Sequence, residues 1–169
     1  MWQKKLKRER ENYVKLIFKQ RLFSWFDSYD IYDEAGNTVY TVEGQLSWGH
    51  LLRIYNAAGS EVGMVKEKIL TFLPKFEIYL NGQCVGFIKK ELSFINPRYN
   101  VEYNGWHVQG DFLEWEYSVF DSVDKVIASV SKQIWRLTDT YTIDVADPRD
   151  ALCALMVVLA IDAEKCTRN

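Results

Sequence analysis

The chain is poor in the residues that catalysis and metal binding need. Its 169 residues include two histidines, His50 and His107, and three cysteines, Cys84, Cys153 and Cys166. These residues stand at no spacing typical of a metal site. No nucleophile-serine motif, phosphate loop or pair of histidines on a helix face occurs. The sequence therefore predicts a protein that is not an enzyme and that carries no metal or organic cofactor.

The chain also lacks long apolar runs and an excess of either charge. The longest apolar run, residues 151–161, has 11 residues, whereas a membrane-spanning helix needs about 20. No apolar leader follows the start. With 21 basic and 23 acidic residues, the composition disfavours a dedicated nucleic-acid-binding protein. Together with the odd number of cysteines, these absences favour a protein of the reducing cytoplasm.

The first 12 residues differ from the rest of the chain. Residues 4–10 carry five basic side chains and one acidic side chain. One interpretation is a solvated terminus; the other is a tether to an anionic membrane surface, where each basic residue adds about 1 kcal/mol. We divide the chain into a charged extension, residues 1–12, and a single domain, residues 13–169.

That domain contains a repeat. An aliphatic residue begins a short corner, an aromatic residue follows seven positions later, and a β-branched residue stands two positions beyond it. Full copies cover residues 22–31, 69–78, 92–101 and 134–143, and shorter copies begin at Leu46 and Leu113. The copies start about 23 residues apart. This period is the length of one β-hairpin and is too short for the blade of a β-propeller.

Tight-turn sequences lie between the corners. Asn81-Gly82 and Asn104-Gly105 are strong signals for a type I′ hairpin turn, which needs positive φ at both central residues. Residues 34–37, 58–60 and 122–124 are the other predicted turns. Six corners and five turns make 11 connections, so the sequence predicts 12 strands. We predict a mainly β domain in which these strands form a closed antiparallel barrel.

Residues 147–165 predict one long helix. Asp147 suits the N-cap, Pro148 suits the first helical position, and Asp150 lies at the positive end of the helix dipole. A helix that is apolar on every side must be buried on every side. A 12-stranded barrel has room on its axis, so we predict that this helix lies inside. Small residues recur at one strand position and would let the strands approach the helix: Gly63, Gly86 and Ala128.

These elements resemble the LURP-one-related family, most of all its short bacterial members. The telling stretches are residues 21–31, 74–79, 110–112 and 138–143, followed by the apolar helix, and the resemblance spans about residues 16–166. It implies the fold of the tubby C-terminal domain, a 12-stranded barrel threaded by a hydrophobic helix. Because tubby domains bind phosphoinositide headgroups, the resemblance also implies a non-enzymatic binding module. No tubby lipid-binding residue matches this chain position by position.

Basic residues stand at equivalent positions of the repeat. Lys66 and Lys89 precede corners, whereas Lys75 and Arg98 follow them. Adjacent hairpins would bring the four together, which makes them candidates for binding an anionic headgroup. The alternative is a mixed-charge surface that keeps the strand ends soluble, since glutamates are interspersed among them.

Two classes of function stay open at this point. The first is a non-enzymatic binding module, peripheral to a membrane, that recognises an anionic lipid headgroup or a protein partner. The second is a small enzyme or small-molecule carrier with a site at a barrel rim. The central helix would occupy the space that a carrier needs, and no motif supports an enzyme. The oligomeric state is left open.

Overall fold

The structure, a computed structural model, describes residues 13–19, 28–45, 47–92, 98–133 and 140–167. Within these ranges the chain forms twelve β-strands and one α-helix. The strands are β1 Val14–Lys19, β2 Ser28–Tyr32, β3 Thr38–Gln45, β4 Leu51–Asn56, β5 Glu61–Glu67, β6 Lys75–Leu80, β7 Gln83–Glu91, β8 Arg98–Val101, β9 Trp106–Asp111, β10 Glu116–Phe120, β11 Val126–Gln133 and β12 Thr140–Val145. A 3₁₀ turn, Pro148–Asp150, leads into helix α1, Ala151–Thr167.

The strands close into one antiparallel barrel. Each strand pairs with its neighbours in the sequence, and β1 pairs with β12 from Val14↔Val145 to Lys19↔Thr140. The predicted closed barrel of 12 strands is therefore confirmed. Closure gives every strand a partner on both sides, which removes the exposed edges that lead open sheets to aggregate.

The two ends of the barrel are built from different connections. Asn81 and Gly82 have φ angles of +49° and +79°, the positive values that a type I′ turn requires. In an antiparallel meander alternate connections lie at the same end, so all tight turns lie at one end, the turn end. The described parts of the corners form the opposite end, the corner rim: residues 47–50, 68–74, 92 and 112–115. The predicted corners at residues 22–27, 93–97 and 134–139 lie outside the described residues.

Side chains alternate between the two faces of the barrel wall. On β6, Phe76 and Ile78 are buried and point inward, whereas Lys75 and Glu77 are partly exposed on the outer face. This period of two follows from the pleat of a strand. The inner face supplies the wall side of a single hydrophobic core, which includes Leu16, Ile31, Val42, Ile54, Val65, Ile88, Val108 and Ile143.

Helix α1 lies inside the barrel, as predicted. Leu155, Met156 and Ile161 are completely buried, and so are their apolar neighbours in the helix. The side chain of Asp147 accepts a hydrogen bond from the backbone N–H of Arg149, so the predicted cap is present. It caps the 3₁₀ turn, and the α-helical part spans residues 151–167 instead of 147–165. Among the described residues, no helix is both long and apolar enough to cross a membrane.

The small residues of the wall behave differently from one another. At Gly63, a β-carbon would overlap the terminal methyl of Met156, so this glycine does let the wall approach α1 closely. At Gly86 the prediction is wrong. The nearest atoms to a β-carbon there belong to Tyr103, whose backbone nitrogen would lie 3.0 Å away. The close approach at this glycine is therefore to the turn between β8 and β9.

Candidate functional site

The four predicted basic residues lie on the outer face of four adjacent strands, next to the corner rim. Lys75 on β6 and Lys89 on β7 are directly opposite each other in the strand register. Lys66 on β5 and Arg98 on β8 are the diagonal neighbours of this pair. Diagonal neighbours in a sheet stay within reach of long side chains. The structure thus brings all four residues into one oblique row.

An aromatic ring that sequence reasoning missed lies among these lysines. The ammonium of Lys75 is 3.7 Å from the centre of the Phe87 ring, that of Lys89 is 5.6 Å away, and that of Lys68 is 5.9 Å away. Ammonium groups within about 6 Å of a ring centre are attracted to its negative face. Because Phe87 stands two residues before Lys89 on β7, the strand period alone places both on one face. We call Lys66, Lys68, Lys75, Lys89 and Arg98 the basic face.

Carboxylates neutralise part of the basic face. Lys68 Nζ lies 3.1 Å from Glu77 Oε1, and Tyr79 donates a hydrogen bond to the other oxygen of Glu77. Burial acts to raise the pKa of Glu77, but the hydrogen bonds from Lys68 and Tyr79 and the nearby lysines outweigh it and lower that pKa. Lys89 pairs with Glu102, and both side chains are exposed. Exposed ion pairs contribute little to stability, so an incoming anion can replace such a partner at small cost.

Lys75 differs from the lysines beside it. In the described part of the chain no carboxylate pairs with Lys75, whose ammonium lies over the Phe87 ring. Like charges placed directly opposite each other in a sheet are destabilising. The Lys75–Lys89 pair therefore concentrates positive charge on the outer wall beside Phe87.

The two histidines lie in separate places. His50 Nε2 is 3.7 Å from Glu67 Oε2 at the corner rim, where burial lowers the pKa of His50 and Glu67 offsets part of that effect. His107 Nε2 is 3.2 Å from Asp124 Oδ1, and its ring stacks on Phe120. Among the described residues, no group of three or more histidine, cysteine, aspartate or glutamate side chains is placed to hold a metal ion.

Cys153 is a packing residue of α1. Its side chain is buried, and burial raises the pKa of the thiol to about 12. Asn104 Nδ2 lies 3.4 Å from the sulfur. A thiol that stays protonated is a poor nucleophile. Cys84 is exposed near the turn end, and the side chain of Cys166 lies outside the described part of the structure.

A buried polar cluster near the end of α1 had no counterpart in the sequence analysis. Lys90 points into the barrel, and its Nζ lies 2.7 Å from Glu164 Oε1. Tyr99 donates a hydrogen bond to the other oxygen of Glu164. Lys165 Nζ lies 4.0 Å from the centre of the Trp115 ring, and burial raises the pKa of Asp162 to about 6 against the attraction of Lys165. These contacts hold the end of the helix at the corner rim.

A shallow depression of about 420 Å³ lies beside β9, β10 and β11. Its lining residues are Asp111, Glu114, Glu116 and Lys132. Asp111 is already engaged, because its Oδ1 accepts hydrogen bonds from the backbone N–H groups of Leu113 and Glu114. Among the described residues, no serine, cysteine or histidine lines the depression, so it gives no support for an enzyme that uses such a nucleophile or base at the rim.

Comparisons with known proteins identify the family of the chain. Residues 14–162 match the family model described as LURP-one-related. A protein of Bacillus subtilis (strain 168), named uncharacterized protein YxjI, is 28% identical over 150 residues, which cover 88% of this chain and 92% of that protein. The family match includes all twelve strands and most of α1. The chain therefore belongs to the LURP-one-related family.

Proposed function

We propose that the protein is a non-enzymatic module that binds anionic phospholipid headgroups at a bilayer surface through the basic face. The observation that carries the proposal is the pair Lys75 and Lys89, opposite each other on β6 and β7, with both ammonium groups beside Phe87. Two like charges placed directly opposite each other destabilise a sheet. A phosphate group lying between the two ammonium groups would remove their repulsion.

The shape of the basic face favours an extended anionic surface over a single small anion. Its residues lie in a row across four adjacent strands on the convex outer wall. Strands are spaced about 4.8 Å apart, so the row extends over roughly 14 Å. A row of this length can contact several headgroups at once, whereas a lone phosphate would meet only part of it.

The net charge of the whole chain makes the position of the basic face important for the proposal. The chain has a formal net charge of −2, so overall attraction to an anionic membrane is absent and contact must come from a local surface. In this proposal the protein works in the cytoplasm at the inner face of a membrane. The free thiols of Cys84 and Cys153 fit a reducing compartment.

The alternative, a carrier or a small enzyme, has less support. A carrier needs an interior cavity, but α1 occupies the axis of the barrel and Leu155, Val157 and Ala160 are completely buried there. An enzyme needs a nucleophile near a base, or paired acid and base groups in a cleft. The two histidine–carboxylate pairs, His50–Glu67 and His107–Asp124, lie in separate places, and neither histidine is among the described residues that line the depression beside β9 and β10.

Co-sedimentation with lipid vesicles tests the proposal. We expect binding to vesicles that contain an anionic phospholipid, no binding to neutral phosphatidylcholine vesicles, and a steep loss of binding between low and high salt, since exposed charges are screened within about 10 Å at 0.1 M. Lys75→Glu should weaken binding about tenfold or more, because each basic residue near an anionic membrane contributes about 1 kcal/mol and the reversed charge adds repulsion.

The matched control changes the same charge at the other end of the barrel. Lys125 is exposed in the turn between β10 and β11, so Lys125→Glu alters the net charge equally without touching the basic face. We expect this variant to bind like the natural protein. Equal loss of binding in the two variants, or equal binding to neutral and anionic vesicles, would contradict the proposal.

A further inference from the structure

Large apolar side chains project into solvent from the corner rim. Four side chains are almost fully exposed: Trp48 (86%), Leu70 (99%), Phe72 (91%) and Leu113 (84%). These are the four most exposed large apolar side chains among the described residues, and each comes from a corner. Exposed apolar residues are ordinary when they are scattered. Their concentration at one end of a barrel needs an explanation.

The turn end differs in character. Its tight turns contain mainly small and polar residues, and its most exposed large apolar side chain is Val123, in the turn between β10 and β11. Val123 is flanked by Ser122 and Asp124. The barrel is therefore amphipathic from end to end, with the bulky apolar side chains projecting from the corner rim.

The connection between β5 and β6 holds two of these side chains in an ordered loop. The backbone N–H of Lys68 donates to the carbonyl of Lys75 across the mouth of the loop, and the hydroxyl of Thr71 donates to the carbonyl of Lys68. Leu70 has a φ of +62°, a conformation that costs free energy for a residue other than glycine. A leucine is thus held in a strained turn and presented almost completely to solvent.

Neighbouring corners are joined to this loop. The backbone N–H of Glu67 donates to the carbonyl of His50 at 2.7 Å, and the N–H of His50 donates to Glu67 Oε2 at 3.0 Å. These bonds place the corner that carries Trp48 beside the start of the β5–β6 loop. On the other side, the N–H of Lys90 donates to the carbonyl of Pro74. The corners that carry Trp48, Leu70 and Phe72, which we call the apolar tips, are therefore joined side by side on the rim.

The apolar tips of the β5–β6 loop lie directly beside the basic face. Lys68 begins the β5–β6 loop and Lys75 ends it, so Leu70 and Phe72 lie between two members of the basic face. Apolar side chains at a tip with lysines just behind them match the order of layers in an anionic membrane, in which the charged headgroups lie outside the acyl chains.

We infer that Trp48, Leu70 and Phe72 insert into the interfacial region of the bilayer that the basic face binds, so that the barrel docks with this side of its corner rim toward the membrane. Leu113 stands between Asp111 and Glu114, whose carboxylates an anionic bilayer would repel. This inference rests on the proposed function and adds to it the orientation of the protein and a second, apolar source of affinity. The lysines contact headgroups, and the tips pass between them to the upper acyl chains.

Charge complementarity favours a bilayer over a second copy of the chain. Two copies that met through their corner rims would bring two basic faces together, and like charges at an interface oppose association. An anionic bilayer instead offers a negative layer to the lysines and an apolar layer to the tips. Both parts of the surface are then matched by one occupant.

An environment-sensitive nitrobenzoxadiazole label at the rim tests the inference. Leu70→Cys in a Cys84→Ser, Cys166→Ser background places the label at a rim tip. The natural Cys84 in a Cys166→Ser background places it near the turn end. Buried Cys153, whose thiol pKa is raised to about 12, stays unlabelled. On anionic vesicles we expect a blue shift and stronger emission from the label at position 70, and no change from the label at position 84.

Unlabelled variants give an independent measure. Leu70→Asn combined with Phe72→Asn should lower vesicle binding about tenfold or more, because each side chain loses the transfer of apolar surface out of water. The remaining binding should keep the salt dependence of the natural protein, since the charged contacts of the basic face are unchanged. Val123→Asn is the matched control at the turn end and should bind like the natural protein.

The outcomes separate this inference from the proposed function. Co-sedimentation with no change at position 70, or with an equal change at position 84, overturns the inserted rim and leaves binding by the basic face standing. A shift at position 70 that appears with rising protein concentration and without vesicles overturns it in favour of a protein–protein contact. Absence of co-sedimentation at low salt defeats the proposed function, and the inference with it.

Discussion

Lys90 Nζ lies 2.7 Å from Glu164 Oε1, so an ion pair inside the barrel joins strand β7 to the last turns of helix α1. Both side chains are shielded from solvent, and Tyr99 donates a hydrogen bond to the second carboxylate oxygen. A buried charge is costly unless it is paired and hydrogen-bonded. This pair therefore ties the position of the helix to the register of the barrel wall.

The first prediction concerns that pair. Lys90→Met should lower the free energy of unfolding by about 3–5 kcal/mol, because it leaves a buried carboxylate without its ammonium. The double variant Lys90→Met with Glu164→Gln should recover a large part of the loss, since both charges are then gone. Urea unfolding of the two single variants and the double variant measures the coupling. If the losses of stability in the two single variants simply add in the double variant, Lys90 and Glu164 do not interact energetically.

The second prediction places a charge in the core. Leu155 is the fifth of the 17 residues of α1 and is completely buried. Leu155→Asp loses the packing of the leucine, which alone costs about 2–5 kcal/mol, and it also buries a carboxylate. Domains are stable by only about 5–15 kcal/mol, so we expect an unfolded or insoluble protein. Lys89→Asp, on the outer wall, should fold normally. A Leu155→Asp protein with an unchanged melting temperature would contradict a helix inside the barrel.

The third prediction separates two kinds of crowding at glycines. At Gly63 a β-carbon would meet the flexible end of Met156, which can move, so Gly63→Ala should cost about 1 kcal/mol. At Gly110, where φ is +144°, a β-carbon would meet the backbone of Tyr117, and Gly110→Ala should cost about 3 kcal/mol.

Gly36 supplies the control for that comparison. Its φ is +84° and nothing lies within 4 Å of a β-carbon there, so Gly36→Ala measures backbone strain without a clash. We expect the Gly63→Ala and Gly36→Ala proteins to melt at higher temperatures than the Gly110→Ala protein. A Gly110→Ala protein as stable as the other two would contradict the geometry between β9 and β10.

The fourth prediction is a pH dependence of stability. Burial raises the pKa of Asp162 from its ordinary value of 3.8 to about 6 in the folded protein. The folded state therefore binds this proton more tightly than the unfolded chain does. The contribution of Asp162 to the free energy of unfolding falls as the pH rises from about 4 to about 6, and it is level above that range.

Asp162→Asn should remove this dependence. At neutral pH the variant should be more stable than the natural protein by up to about 3 kcal/mol, since one pKa unit corresponds to about 1.4 kcal/mol. Near pH 4 the two proteins should be about equally stable. Urea unfolding across this range measures the difference. A difference that stays constant with pH would mean that Asp162 titrates normally.

The architecture follows from local patterns that a reader of the sequence can count. The repeat and its Asn-Gly turns predict twelve strands, and these strands form. Residues 151–161 are apolar on all sides, and they lie inside the barrel. Such features are predictable because they depend on residues close together in the chain: turn residues need particular φ angles, and a helix without a polar face has to be buried.

The candidate site was predicted only in part. Equivalent positions in the repeat identified Lys66, Lys75, Lys89 and Arg98, which the structure brings into one row. Phe87 was missed, although its spacing from Lys89 on a strand was a usable signal. Gly86 was assigned to the helix, because the sequence did not show that the turn at Tyr103 would occupy the space beside it.

The sequence by itself determined how many strands and turns the protein has, which segment becomes the central helix, and which strand faces carry charge. Only the tertiary structure decided which distant residues meet: Lys90 with Glu164 inside the barrel, Lys75 with Lys89 beside Phe87 outside it, and Trp48 beside the β5–β6 loop at the rim. The physical reason is that local propensities act over a few residues, whereas these contacts depend on the register of paired strands. A shift of one residue moves every side chain of a strand to the opposite face.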